Sequence, residues 1–207
     1  MEQSVIDGYA EDASYLIQSF EAISSTDILS HVLDFIPSPP CRVIEIGAGT
    51  GRDAAWLAEQ GFDVVAVEPV CEFRQAGKLL HPSPQIKWFN DSLPSISRII
   101  ESCEQYELAL LIAVWQHIPK ENKLTSLRNL HSILSKSGRL ILSVRDGPGA
   151  LKRKCYPTSA EETISLAQQC GFKLIANNSA HSVQKSNQAS QVTWTWLVFQ
   201  SANENSF

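Results

Sequence analysis

Between residues 45 and 53 the chain reads Glu45-Ile-Gly47-Ala48-Gly49-Thr-Gly51-Arg52-Asp53, with glycines at alternate positions. Glycine turns the chain tightly without a side-chain penalty and leaves bare backbone for a ligand to lie against. A helix beginning just past such a turn offers unpaired N–H groups to a polar or anionic ligand. Glu68 ends the next apolar run. A carboxylate at that place can accept hydrogen bonds from both ribose hydroxyls of a bound nucleoside. Glycines alone would be weak evidence. Glycines, strand, helix and strand-end acid together point to a nucleoside-containing cofactor. The dinucleotide pattern G-x-G-x-x-G wants a glycine where Arg52 stands, which disfavours a nicotinamide cofactor and an NAD-dependent reductase.

His117 follows the strongly apolar run Glu107–Val114, at a place where α/β sheets bind ligands. Its imidazole suits a general base near neutral pH; the competing reading is packing or capping of the helix that begins near Lys120. Trp115 either walls the pocket or belongs to the core. Arg145 and the run Lys152-Arg153-Lys154 place four cations after a later strand, an arrangement suited to a carboxylate or phosphate on a substrate. A solvated loop is the bland alternative for 152–154, and Arg145 is the better substrate candidate because it lies nearest the strand end. His31, His81, His131 and His181 have no partner that spacing identifies.

These residues need elements to hold them. Val5, Tyr9, Ala13, Leu16 and Phe20 fall at helical spacing, and a second short helix starts near Ser25-Thr26-Asp27 before Pro37, Pro39 and Pro40. Strands are predicted over 42–46, 62–67, 85–89, 107–114, 139–144, 172–176 and 192–199, with helices over roughly 52–60, 72–80, 96–103, 120–134 and 159–170. Ser137-Gly138 reads as a turn. Helices interleave with strands until the final pair, between which none is expected. The fold class is therefore α/β: a seven-stranded, mostly parallel, doubly wound sheet with helices on both faces and an antiparallel last strand.

Composition narrows the function classes. The chain has 207 residues, 17 Lys and Arg against 22 Asp and Glu, and a net charge of −5. That length suits one domain, and the acidic balance gives no general attraction to nucleic acid or anionic membrane. No apolar run is long enough to span a bilayer, and the N-terminal stretch MEQSVIDGYAEDAS has no secretory character. The five cysteines are scattered and odd in number, against a metal site or a disulfide framework. A cytoplasmic protein is expected.

The motif Glu45-Ile-Gly-Ala-Gly-Thr-Gly51 with Glu68 at the end of strand two closely resembles the class I, Rossmann-like S-adenosylmethionine (SAM)-dependent methyltransferase family. Asn90-Asp91-Ser92 after strand three, Ala113-Val114-Trp115-Gln116-His117 after strand four, and the seven-strand order also fit, so the resemblance spans nearly all of Pro40–Phe199. It implies SAM as cofactor and S-adenosylhomocysteine as product. Gly47, Ala48, Gly49 and Gly51 would pack on the methionine and ribose, Glu68 and Pro69 would hold the ribose, and Asp91 with Ser92 would read the adenine. Arg52 or Asp53 would meet the cofactor's carboxylate or ammonium, unless Asp53 is only an acid favoured by the helix dipole. Ala113 and Val114 would line the methyl-transfer pocket. The resemblance further implies an N-terminal helical lid over 1–38 carrying Tyr9 and Tyr15, a core over 40–199 and a polar tail over 200–207. The acceptor expected is a small molecule, with a carboxylate or phosphate suited to the cations. An RNA or tRNA methyltransferase, which would want a broader basic face, and a non-catalytic SAM-binding module stay open, as does a homodimer through the sheet edge.

Overall fold

The computed structural model describes residues 1–150 and 152–202. Strands β1 (Arg42–Ile46), β2 (Asp63–Val67), β3 (Ile86–Phe89), β4 (Tyr106–Leu111), β5 (Leu134–Asp146), β6 (Phe172–His181) and β7 (Thr193–Ser201) form one sheet in the order β3-β2-β1-β4-β5-β7-β6. Strands β1 to β5 pair in parallel, and β7 lies antiparallel between β5 and β6. The order reverses between β1 and β4, so the crevice at their carboxyl ends is where an open sheet of this kind receives a ligand. The expected fold class, with its antiparallel insertion, is the one observed.

Val43–Ile46 and Val64–Val67 are buried without alternation, because helices cover both faces. On one face α4 (Arg52–Glu59) and α3 (Ser25–Leu29) bring Leu57, Ala54 and Leu29 onto Val43, Val64 and Leu108. On the other, α6 (Ser97–Glu101), α7 (Lys120–Ile133) and α8 (Ala160–Gln169) bring Ile99, Leu127, Leu130 and Ala167 onto Ile44, Val65 and Leu142. Ser159 starts α8 by accepting the Glu162 N–H at 3.0 Å, the expected cap chemistry. Trp115 is fully buried in this second layer and donates its indole N–H to Thr163 Oγ1 at 3.0 Å, which settles its place as core.

Several boundaries differ from expectation for identifiable reasons. The N-terminal apolar stripe is two helices, α1 (Gln3–Glu11) and α2 (Ala13–Glu21), broken at Asp12. Asp12 leaves helical geometry at φ −97°, ψ 8°, and its carboxylate is held by Lys152 and Arg153. Both helices pack through Ala13, Leu16 and Tyr9 on Phe73 and Val70, at α5 (Cys71–Leu80). Helix α3 is capped by Ser24, one residue earlier than read, and ends at Leu29. Ser137 takes φ 65° in a bulge inside β5, so the expected Ser137-Gly138 turn is a kink within the strand. Helix α9 (Lys185–Ala189) stands between β6 and β7 where none was expected; no residue of it is buried, so no apolar stripe marks it. Gln200 and Ser201 complete β7, so the tail begins later than residue 200, and 203–207 lie outside the described residues.

Candidate functional site

The glycine turn leaves β1 at the sheet's switch point. The Gly47 and Ala48 N–H groups donate to the Val67 carbonyl at 2.7 and 3.0 Å, fastening the turn to the end of β2. Gly47 and Gly51 sit at φ 75° and 76°, a region that penalises any side chain. A Cβ on Gly47 would collide with Val114, and one on Gly51 would lie 2.5 Å from the Trp88 ring. Both angle and space therefore demand glycine.

Two buried carboxyls face this turn. Glu68 accepts the Gly49 N–H through Oε2 and the Val70 N–H through Oε1, each at 2.8 Å. Burial raises its pKa to about 7, opposed by those two hydrogen bonds and by Arg74. Each oxygen still has a lone pair for a donor from the cleft. Glu45, at 2% exposure, lines the same cleft, and its Oε2 has no hydrogen-bond partner among the described residues. Burial, then repulsion from Asp53, pushes its pKa well above the carboxylate range. A buried, unsatisfied carboxyl is costly, and a cation or donor on a ligand would relieve it.

Arg52 and Asp53 spend their charges on each other. The guanidinium donates to Asp53 Oδ1 at 2.9 Å and Oδ2 at 2.7 Å, and its third bond reaches the Phe20 carbonyl at 2.8 Å. The fork thus ties the end of α2 to the glycine turn. Both residues line the cleft, although the pair leaves Arg52 little capacity for a ligand carboxylate.

Across the cleft, Tyr9 and His117 form a hydrogen-bonded pair. His117 Nδ1 lies 2.7 Å from the Lys154 carbonyl, which can only accept, so Nδ1 carries the proton. Nε2 is then a lone pair that accepts the Tyr9 O–H at 2.9 Å. Burial lowers the His117 pKa, helped by Arg153 and Arg145 and opposed by the Lys154 carbonyl, so the ring is neutral near pH 7. Burial pushes the Tyr9 phenol up to about 12. Arg153 stacks 5.0 Å above the Tyr9 ring, with Phe73 edge-on at 6.0 Å.

The cleft opens at the carboxyl ends of β1, β2 and β4. Gly47, Ala48, Gly49, Arg52, Asp53, Glu68, Pro69, Ala113, Val114, Tyr9 and His117 all line it. Gly51 stands just behind, against Trp88. Ala113 holds φ 57°, a strained angle for alanine, fixed by Ser143 Oγ accepting its N–H at 2.8 Å. Asp91 and Ser92 are not among the lining residues. Asp91 accepts the Ser92 and Arg98 N–H groups at 2.8 Å each, while the Met1 ammonium donates to Ser92 Oγ at 3.3 Å and to the Leu93 carbonyl. Arg145 stands outside the lining, and Tyr15 is 68% exposed.

The basic run is paired with the N-terminal helices. Lys152 meets Glu11 and Asp12 at 3.2 and 3.1 Å, Arg153 meets Asp12 at 2.9 Å, and Lys154 meets Glu2 at 3.4 Å. A Cβ on Gly8 would collide with the Lys152 carbonyl, so α1 seats directly on this loop.

Sequence reasoning missed three contributors. Glu45 was visible as the acid opening the glycine motif. In the sequence Phe20 is part of an apolar stripe, and the β6–α9–β7 segment shows only as plain strands. That segment supplies His181, Val183, Gln184, Asn187, Trp194 and Trp196 to the cleft. Trp194 and Trp196, two residues apart on β7, were the available signal.

Comparison with known proteins gives the same answer as the geometry. Residues 9–200 match the family model described as a methyltransferase domain. An uncharacterized methyltransferase from Alkaliphilus oremlandii is 27% identical over 142 residues, 65% of this chain, and the chain spans 59% of that relative's length. Among solved structures, the Burkholderia thailandensis 1,6-didemethyltoxoflavin-N1-methyltransferase with bound S-adenosylhomocysteine superimposes with a TM-score of 0.70 at 18% identity, covering 96% of this chain and 85% of that one. The Synechocystis magnesium protoporphyrin IX methyltransferase with bound SAM gives 0.65 at 16% identity, over 89% and 80%. A TehB-like SAM-dependent methyltransferase from Corynebacterium glutamicum gives 0.68 at 19%, over 93% and 98%. The chain belongs to the methyltransferase-domain family of class I, SAM-dependent methyltransferases.

Proposed function

We propose that this protein, as one domain over 1–207, transfers the methyl group of SAM to a small-molecule acceptor and releases S-adenosylhomocysteine. The observation that carries this reading is the pair of buried carboxyls, Glu45 and Glu68, opening with the glycine turn into a cleft that reaches the Tyr9–His117 pair. The residues fit the cofactor. Glu68 and Pro69 would hold the ribose hydroxyls, Glu45 the ammonium, and Gly47, Ala48, Gly49 and Gly51 the length between. Asp91 and Ser92 would reach the adenine once the Met1 amine gives way, and Ala113 and Val114 border the methyl end.

SAM supplies an activated methyl group, so the protein's task is to align the nucleophile and remove its proton. His117 is suited to the second part: its Nε2 lone pair takes a proton from the acceptor, directly or through the Tyr9 oxygen. The Lys154 carbonyl keeps Nδ1–H in place and steadies the imidazolium that forms. Helices α1 and α2 close over the site and limit its water.

Support for a small acceptor comes from the Burkholderia and Synechocystis enzymes, whose names specify small-molecule acceptors. The basic run that an RNA substrate would use is paired with Glu2, Glu11 and Asp12. Among the described residues no helix is long and apolar enough to cross a membrane. The test is calorimetric titration with SAM, S-adenosylhomocysteine and NADH, followed by an acceptor screen. Micromolar binding of the sulfur nucleosides without NADH is expected; NADH binding alone would overturn the reading, and cofactor binding without turnover across the screen would favour a binding module.

A further inference from the structure

The cleft does not stop at the cofactor's place. Its lining extends to the β6–β7 segment, where Trp194 and Trp196 present neighbouring rings from one face of β7. We propose that this end is an acceptor subsite for an uncharged, planar aromatic molecule, laid against Trp194 and hydrogen-bonded by the Gln184 carboxamide. The proposal rests on the methyl-transfer reading and names its substrate class.

The hydrogen-bond chain behind Gln184 fixes what it offers. Arg145 only donates, so Asn187 must turn its oxygen toward the guanidinium, 3.1 Å away. Asn187 Nδ2 then faces Gln184 and donates to Oε1 at 2.8 Å. Gln184 is left with its Nε2 protons, which have no partner among the described residues. A ligand at this end therefore meets a donor, and its matching group is a carbonyl or a ring nitrogen.

Charge is accounted for in the same way. Arg145 pairs directly across from Trp194 in the β5–β7 ladder, and its guanidinium sits 5.4 Å over that ring. Its other hydrogen bonds end on the Pro148 carbonyl, at 3.2 and 2.6 Å. Arg145 thus acts as a positioning residue: it holds the aromatic wall and, through Asn187, the amide. Among the described residues the cleft's one lining arginine is Arg52, committed to Asp53, and no lysine lines it. Asp27, Glu45 and Glu68 do line it, and the Met1 ammonium that also lines it is held by Ser92 Oγ and the Leu93 carbonyl, so an anionic acceptor would find acids and no unpaired Arg or Lys side chain.

The experiment titrates two matched probes, neutral 4-hydroxyquinoline and anionic quinoline-4-carboxylate, following tryptophan fluorescence with and without saturating S-adenosylhomocysteine. The neutral probe should bind at least tenfold more tightly. Trp194→Ala should weaken it tenfold or more, Trp194→Phe should largely restore it, and S-adenosylhomocysteine affinity should hold in both variants. Val183→Glu, at a position 39% exposed, puts a charge at the subsite's edge and should weaken the neutral probe without touching the fold. Equal or tighter binding of the carboxylate, binding of neither probe, or unchanged binding in Trp194→Ala and Val183→Glu would overturn the proposal. Failure of S-adenosylhomocysteine to bind would count against the cofactor reading alone, because the probe comparison without it still decides the subsite.

Discussion

Glu68 combines burial with hydrogen bonding, and its titration should be visible. Its pKa rises from 4.5 to about 7, so folding favours the protonated acid. That contribution to stability is full below pH 4.5 and is lost as pH rises through about 7. The melting temperature of the cofactor-free protein should therefore fall relative to Glu68→Gln between pH 5 and 8, a difference that paired thermal melts measure. Cofactor binding should run the other way, because ribose hydroxyls donate to the carboxylate. Glu68→Ala should weaken S-adenosylhomocysteine by about 1–3 kcal/mol, the scale of hydrogen bonds to a charged group, as read by calorimetry. His117→Ala should lower turnover by roughly 10²–10⁴, the usual contribution of a general base, with cofactor affinity unchanged. Since the His117 pKa is depressed, wild-type turnover should stay level through neutral pH and fall only below the ordinary imidazole range. At this scale the sequence showed which residue types matter, since Glu68 and the glycines carry their own geometry. It concealed the pairing of Tyr9 with His117, because those partners meet only after folding and lie 108 positions apart.

Among the elements, the N-terminal pair α1–α2 is held by charge as well as by apolar packing. Asp12 receives both Lys152 and Arg153, and exposed pairs of this kind are weak and screened by salt. Asp12→Asn should speed cofactor release several-fold with little change in melting temperature, and added salt should speed release in the wild type more than in the variant; stopped-flow fluorescence reads both. The strands were legible because each is an apolar run between Pro, Gly or polar breaks, as with Arg42–Ile46 after Pro39-Pro40. The break at Asp12 was hidden by an apolar stripe that continues across it. Helix α9 was hidden for the opposite reason: Lys185–Ala189 buries nothing, so its place depends on the strands it joins. Overlooking it also obscured the far end of the cleft.

For the whole molecule, ligand binding and stability are linked by mass action. S-adenosylhomocysteine at a hundred times its dissociation constant should add about 2.7 kcal/mol, which for a chain of this size raises the melting temperature by roughly 5–10 °C. NADH should add nothing, and a scanning melt distinguishes them. The overall sheet was legible because alternation of strands and helices leaves few topologies open. The partition of the cleft was not, since it depends on where α9 and the Trp194 and Trp196 rings come to rest.

The insertion of β7 beside β5 also gives the protein a timetable. β6 has no neighbour but β7, so it waits unpaired until residues near 193–201 are made. On a translating ribosome the β1–β5 half, with its glycine turn and Glu68, is complete once Asp146 has emerged. The wall carrying Trp194 and Trp196 follows roughly 3–10 s later at ordinary elongation rates. A nascent chain can thus hold a formed cofactor cradle before it has anywhere to seat an acceptor, and a stop codon placed before β7 should cost the sheet two strands, β7 because it is never made and β6 for want of its neighbour.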